Sequence, residues 1–396
     1  MANVSSSNGL EKRPKLRFPG FDEPYKQCRI GDIYAERSQR GASDMELLSV
    51  TMNDGVKPRS EIEGKDNSSE DKSNYKIVRK GDMVYNSMRM WQGANGISPC
   101  DGIVSPAYTV LMPKQEINNG YFAALFKSAN LINEFRKNSQ GMTSDTWNLK
   151  YPQIETIKVQ IPSVSEQDKV SEMFSVLDER IAAQAQLVES LKKYKRGLLS
   201  QLIAQKKAFD TSGEWKAVKL GHIFKERTER AKGNETLLAV TISNGVQRRD
   251  EIDLKDNSSD DKSNYKCVYI GDIAYNTMRM WQGASGVSPY NGIVSPAYTI
   301  VTPIRPDLHN MTFWAYYFKY SPLVQTFQKY SQGLTSDTWN LKFPQFSEIA
   351  VTMPPISEQD KIAECLSVFD EHCKCEDEKL QALLQVRTSL LQQLFI

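Results

Sequence analysis

No apolar run in the 396 residues approaches the ~20 that a membrane-spanning helix needs. The opening stretch MANVSSSNGLEKRPK has no apolar core of the kind that marks a secretory signal. A cytoplasmic protein without membrane contact is expected. Cysteine is scarce: the six (Cys28, Cys100, Cys267, Cys365, Cys373, Cys375) follow no repeated pairing, so disulfides are not expected. Cys373 and Cys375 flank no second Cys/His pair that would complete four ligands with His372, which argues against a metal site. The three histidines, His222, His309 and His372, lie far apart, which argues against a shared acid–base centre. GxxxxGK[ST] and GxGxxG phosphate loops are both missing, so nucleotide hydrolysis and dinucleotide binding have no anchor. The Pro-Pro-aromatic string of amino-methyltransferases is missing too. A net charge of only +2 excludes nucleic-acid binding through bulk basicity; any such role needs cations gathered on one face.

What the chain does have is an internal repeat. YNSMRMWQGANG at 85–96 returns as YNTMRMWQGASG at 275–286, an offset of 190. LLSVTMNDGV (47–56), DKSNYK (71–76), GIVSPAYT (102–109) and TSDTWNLK (143–150) are matched in order by LLAVTISNGV, DKSNYK, GIVSPAYT and TSDTWNLK. The last pair is offset by 192, so a two-residue insertion separates the copies. Each half is therefore one whole domain, duplicated. Runs such as YKIVRKGDMVYN and YTVLMP, broken by Gly, Asn and Pro, read as strands with turns. YFAALFKSANLINEFRKN, residues 121–138, has helical spacing. The fold class expected is α+β, each copy a mixed domain on a twisted antiparallel sheet.

Each copy ends in a different kind of sequence, starting PSVSEQDK at Pro162 and PPISEQDK at Pro354. Ser165 and Ser357 are candidate caps, with acidic residues in the first turn. Apolar residues then recur at alternating spacings of three and four, from Phe174 through Val188 to Leu202 and from Leu366 through Leu380 to Leu394. These heptad seams predict two helices of about 40 residues, roughly 60 Å each. An antiparallel pair with Val188 opposite Leu383 sets Lys195 against Glu376 and Gln184 against Arg387, so the polar breaks in the seams set the expected register. Opposite polarity would relate the two domains by an approximate two-fold rotation, like the dyad of duplex DNA, with the helices as a ruler between half-sites.

Three repeated loops supply candidate DNA contacts. Arg89, Trp91 and Gln92, with Arg279, Trp281 and Gln282, combine a bidentate donor suited to guanine, a flat apolar surface and an amide suited to adenine. The bland alternative packs Met88, Met90 and Trp91 into the sheet while Arg89 snorkels. In KDNSSEDKSNYK (65–76) and its twin, the candidates are Lys65, Asn67, Ser68, Lys72, Asn74 and Tyr75, with Lys255, Asn257, Ser258, Lys262, Asn264 and Tyr265. In QGMTSDTWNLK (140–150) and its twin they are Thr143, Ser144, Thr146 and Lys150, with Thr335, Ser336, Thr338 and Lys342, while Asp145 suits a turn or cap. Asp54 with Glu63, Gly64 and Lys65 faintly suggests the carboxylates of a metal-dependent nuclease, but Asn244 replaces Asp54 in the second copy. A DNA-binding nuclease with a cryptic metal site is the alternative function, and a scaffold acting through its helices alone is a third.

The start PKLRFPGF (14–21), GDMVYN, GIVSPAY, WNLKYPQ and the PSVSEQDK helix entry together resemble the specificity subunit of Type I restriction-modification systems, over essentially the whole chain. The resemblance implies a non-catalytic DNA-recognition subunit with two target recognition domains, at 21–162 and 208–354. A spacer helix would follow each, at 163–207 and 355–396, the two packed as an antiparallel coiled coil, with a flexible segment at 1–20. It further implies double-stranded DNA, two methyltransferase subunits and restriction/translocase subunits as partners. S-adenosylmethionine and ATP would be held by those partners, with no cofactor in this chain. In that family the two domains usually differ; here they are near duplicates, which implies near-identical half-sites and an interrupted palindrome.

Overall fold

The computed structural model describes residues 13–41, 44–52, 55–66, 68–209, 213–233, 235–252, 258–259 and 261–396. The chain forms two compact units, one made of residues up to 185 together with 378–396, the other of 186–377.

In the first unit a four-stranded antiparallel sheet runs in the order Tyr34–Glu36, Tyr108–Pro113, Met83–Asn86, Asn95–Ile97, with Met83 opposite Leu111 and Tyr85 opposite Thr109. Side chains alternate across a strand, so neighbours feed different cores. Met83, Tyr85 and Leu111 join Phe122, Phe126 and Phe135 of the helices on one face. Val84 and Val110 meet Leu48, Val56, Val78 and Val104 on the other. That second layer consists of the hairpin 48–51/55–58 and the pair 76–78/102–104. The hairpin crosses the sheet where two glycines touch: a Cβ on Gly96 would stand 2.7 Å from the Cα of Gly55. The second unit repeats this plan, with Ile273, Tyr275 and Val301 on the helix side and Ala274 and Ile300 on the hairpin side.

The helical stretch expected over 121–138 is two helices, Asn119–Leu125 and Ala129–Asn138. Ser128 breaks it: its hydroxyl accepts from the Leu131 amide at 3.4 Å and starts a new helix.

The long helices run Val164–Ile203 and Ile356–Gln393. Both begin one residue before the serines expected to cap them, so Ser165 and Ser357 lie in the first turn. The first-turn amides instead go to the carbonyls of Ser163 and Pro355. The repeated Gln and Asp have a clamping role. Gln167 accepts from the Asn118 amide at 3.0 Å and donates to the Pro162 carbonyl at 3.0 Å, while Asp168 accepts from the Asn118 side chain at 2.7 Å. Gln359, Asp360 and Asn310 do the same in the second unit.

Within each unit the two long helices pack antiparallel. In the first, Phe174 stacks on Phe395 at 6.0 Å and Asp178 accepts from Arg387 at 2.6 and 3.2 Å. In the second, Lys195 pairs with Asp370 and Lys192 lies 3.6 Å from Asp377. Lys195 pairs with Asp370 and Arg387 with Asp178, where the seam pattern had suggested Glu376 and Gln184. Glu376 lies 3.6 Å from His372 on its own helix. Both cations sit on the seam, and their long stems carry the charge out to a carboxylate flanking it.

Within the segment expected to be flexible, 1–20, described residues make contacts with the long helices. The Leu16 amide donates to the Gln393 carbonyl at 3.0 Å, and Arg17 grips the buried Glu166 through two bonds of 2.9 and 2.8 Å. No described helix is long and apolar enough to cross a membrane.

Candidate nucleic-acid interface

The Arg89 loop is shaped by local chemistry. The Asn86 side chain accepts from the Met88 amide at 3.0 Å, a single 3-10 turn covers Met90–Gln92, and Gly93 closes it at φ +83°. A β-carbon is strained at that φ, which is why glycine follows the turn in both copies. Met90 points inward and is fully buried, while Met88, Arg89 and Gln92 are exposed and Trp91 is half-buried. Only Met90 thus behaves as the bland alternative requires. The Arg89 and Arg279 guanidinium groups have no ion pair or hydrogen bond among the described residues, so both stay available to a partner.

Trp91 is held from two sides. Its indole N–H donates to the Met88 carbonyl at 3.1 Å, and its ring meets Trp147 edge-on at 5.2 Å and 81°. Trp281 and Trp339 repeat this at 5.1 Å and 87°, with the same 3.1 Å bond to Met278. The tryptophan pair joins the Arg89 loop to the Thr143 loop. A second tie runs from the Leu149 amide to the Ser87 carbonyl at 2.8 Å, matched by Leu341 and Thr277 at 2.9 Å. Trp147 and Trp339 lie within the repeated TSDTWNLK string, where the signal for them is an indole kept in both copies among hydroxyls.

The Thr143 loop is closed on itself. Gln140 and Asn148 exchange backbone bonds of 3.0 and 2.8 Å, and the Thr146 hydroxyl donates to the Thr143 carbonyl at 2.9 Å. Thr143, Ser144, Thr146 and Lys150 are all exposed, as are Thr335, Ser336, Thr338 and Lys342.

In the 65–76 loop several expected contacts turn inward. Tyr75 is only 5% exposed and its hydroxyl accepts from the Ser69 amide at 3.1 Å; Tyr265 is equally buried and accepts from Ser259. Lys72 donates to the Ser69 carbonyl at 2.9 Å, and Lys262 to Ser259 at 3.2 Å. These four residues frame the loop. The guanidinium of Arg59, not singled out from the sequence, gathers the carbonyls of Ile62, Gly64 and Lys65 at 2.5–2.9 Å. Lys65, Asn74 and Asn264 are exposed, and Ser68 and Ser258 are half-buried. Asn67, Lys255 and Asn257 lie outside the described residues, as does Asp54.

The two interfaces differ in flanking charge. The guanidinium of Arg136 lies 5.9 Å from the Trp91 ring, where Gln328 stands in the second copy. A lysine is common to both copies, Lys127 and Lys319; beneath the second loop Lys319 donates to the carbonyls of Ile242, at 3.0 Å, and Gly283. Burial, with the positive charge of Lys195, pushes its amine down to about 8.

A family model for the Type I restriction modification DNA specificity domain matches the chain twice, over residues 23–193 and 213–385. The fold is similar to the S subunit of the Type-I restriction-modification system from M. genitalium, with a TM-score of 0.58 at 15% identity, covering 97% of this chain and 99% of that one. It is similar too to a chain solved in work on complex assembly and conformational transition of the type I R-M system. That match has a TM-score of 0.57 at 14% identity and covers 95% and 98% of the two chains.

Proposed function

From a chain that belongs to the Type I restriction modification DNA specificity family, we infer a reader of a bipartite DNA target, one half-site for each unit. Sequence recognition is this chain's task, and catalysis belongs to the subunits with which it assembles. In our reading Arg89 and Arg279 contact base edges in the major groove, and the exposed hydroxyls of the Thr143 and Thr335 loops position phosphates. The two long helices dock a pair of methyltransferase subunits, which use S-adenosylmethionine, and the ATP-driven restriction subunits join the same assembly.

One observation carries the proposal. Each unit presents an unpaired guanidinium beside an edge-on tryptophan pair and a hydroxyl-rich loop, in the same geometry. A core needs none of those exposed groups, whereas a duplex offers phosphates and base edges to all of them. The test is selection of duplexes from a random pool by the full chain assembled with its methyltransferase subunits. Enrichment of one bipartite sequence is expected, and binding without sequence preference would refute it. Incubating the purified chain with Mg²⁺ and plasmid separates the nuclease alternative, because no cleavage is expected.

A further inference from the structure

At the tip of each Thr143-type loop stands a large apolar side chain with almost no protein contact: Met142 is 99% exposed and Leu334 100%. Among the other described residues the most exposed large apolar side chain is Ile270, at 66%. Between Ser139 and Lys150 this is the only position at which the two copies differ, and the change is from an unbranched to a branched apolar group of similar size.

The loop that carries it is stiff. The Gln140–Asn148 bridge closes its base and the Thr143–Thr146 bonds close its tip. Gly141, at φ +143°, lies so close to Thr146 that a β-carbon would be 2.6 Å from that carbonyl oxygen. The adjoining Trp147 fixes the loop against Trp91, so the apolar tip belongs to the same surface as Arg89. A rigid mount that presents a methionine or leucine wholly to water leaves that apolar surface to be buried against a partner, at about 25 cal/mol per Å².

We propose that Met142 and Leu334 are apolar wedges that enter the stacked bases of the bound duplex, one in each half-site. Met and Leu are side chains that proteins insert between base steps to unstack and bend DNA. Flanking hydroxyls of Thr143 and Ser144 would hold the neighbouring phosphates while the tip enters. A wedge reads how easily a step unstacks, so each half-site contains a flexible pyrimidine–purine step opposite the tip, selected by deformability rather than by hydrogen bonds. This inference rests on the DNA-reading function proposed above.

The test uses the full chain and its selected duplex with 2-aminopurine placed through each half-site. Wild type is expected to raise the fluorescence of one position per half-site as that base unstacks. Met142→Ala with Leu334→Ala should abolish the rise and weaken binding by about ten-fold per tip. The slope of affinity against salt should not change, because no charge is removed. Met142→Leu with Leu334→Met should restore both signals. Unchanged fluorescence and affinity in the double alanine variant would overturn the wedge while leaving sequence recognition standing. Loss of assembly with partner subunits at full DNA affinity would overturn it in favour of a protein-docking tip. A wild-type chain that selects no sequence would overturn the functional reading itself.

Discussion

Arg89 and Arg279 carry the sharpest claim at the level of single residues. A bidentate contact to a base is worth roughly 1–3 kcal/mol, so Arg89→Ala and Arg279→Ala should each weaken binding of the selected duplex by that amount. Titration against unrelated DNA checks the mode: equal losses there would mean that these arginines only touch phosphate. A different residue governs stability. Glu166 is buried, at 1% exposure, and Arg17 supplies its charge through two bonds. Arg17→Met leaves that carboxylate without a counter-charge, held only by the Tyr25 hydroxyl at 3.3 Å, which costs about 3 kcal/mol in denaturant unfolding. A change below about 0.5 kcal/mol would show that the pair contributes little. The exposed Arg89 was legible in the sequence because an arginine amid Met and Trp has no reason to repeat unless it is used. The burial of Tyr75 was not, since DKSNYK looks like any solvated loop until its tyrosine folds under Ser69.

Strands, turns and the two long helices were legible at the element scale, and the partners of the cations on the helix seam were not. Alternating Met83, Val84 and Tyr85 feed two cores, and heptad spacing marks both long helices, so local period was enough for each. Register is harder because a seam of leucines matches itself at several offsets. The expectation matched polar breaks within the seam, whereas Lys195 and Arg387 reach sideways to Asp370 and Asp178. Lys195→Asp should loosen this pairing, and adding Asp370→Lys should restore it. With Asp370 half exposed the coupling is ~0.5 kcal/mol, measurable by a double-mutant cycle on thermal unfolding. Coupling of Lys195 to Glu376 instead would restore the register expected from the seam.

Across the whole molecule, the pattern of divergence between the halves says which parts are under constraint. Simple duplication without use would let loops and helices drift alike. The helix Ala129–Asn138 keeps only Leu131, Phe135 and Lys137 in its counterpart Ser321–Tyr330, all else having changed. The loops do the reverse: residues 85–94 differ only at Ser87 against Thr277, and 139–150 only at Met142 against Leu334. Core packing tolerates volume-conserving swaps and surfaces tolerate most changes, so identity that extends to exposed side chains such as Arg89, Gln92, Thr143 and Ser144 points to a shared ligand. Two readers with the same side chains at the same positions select the same bases, and the proposed half-sites are therefore alike. This equivalence predicts one short motif occurring twice in the target. Mapping methylated bases in a host that carries this chain with its methyltransferase checks it directly. Two unrelated half-motifs would mean that residues outside these loops, such as Arg136 against Gln328, decide the sequence.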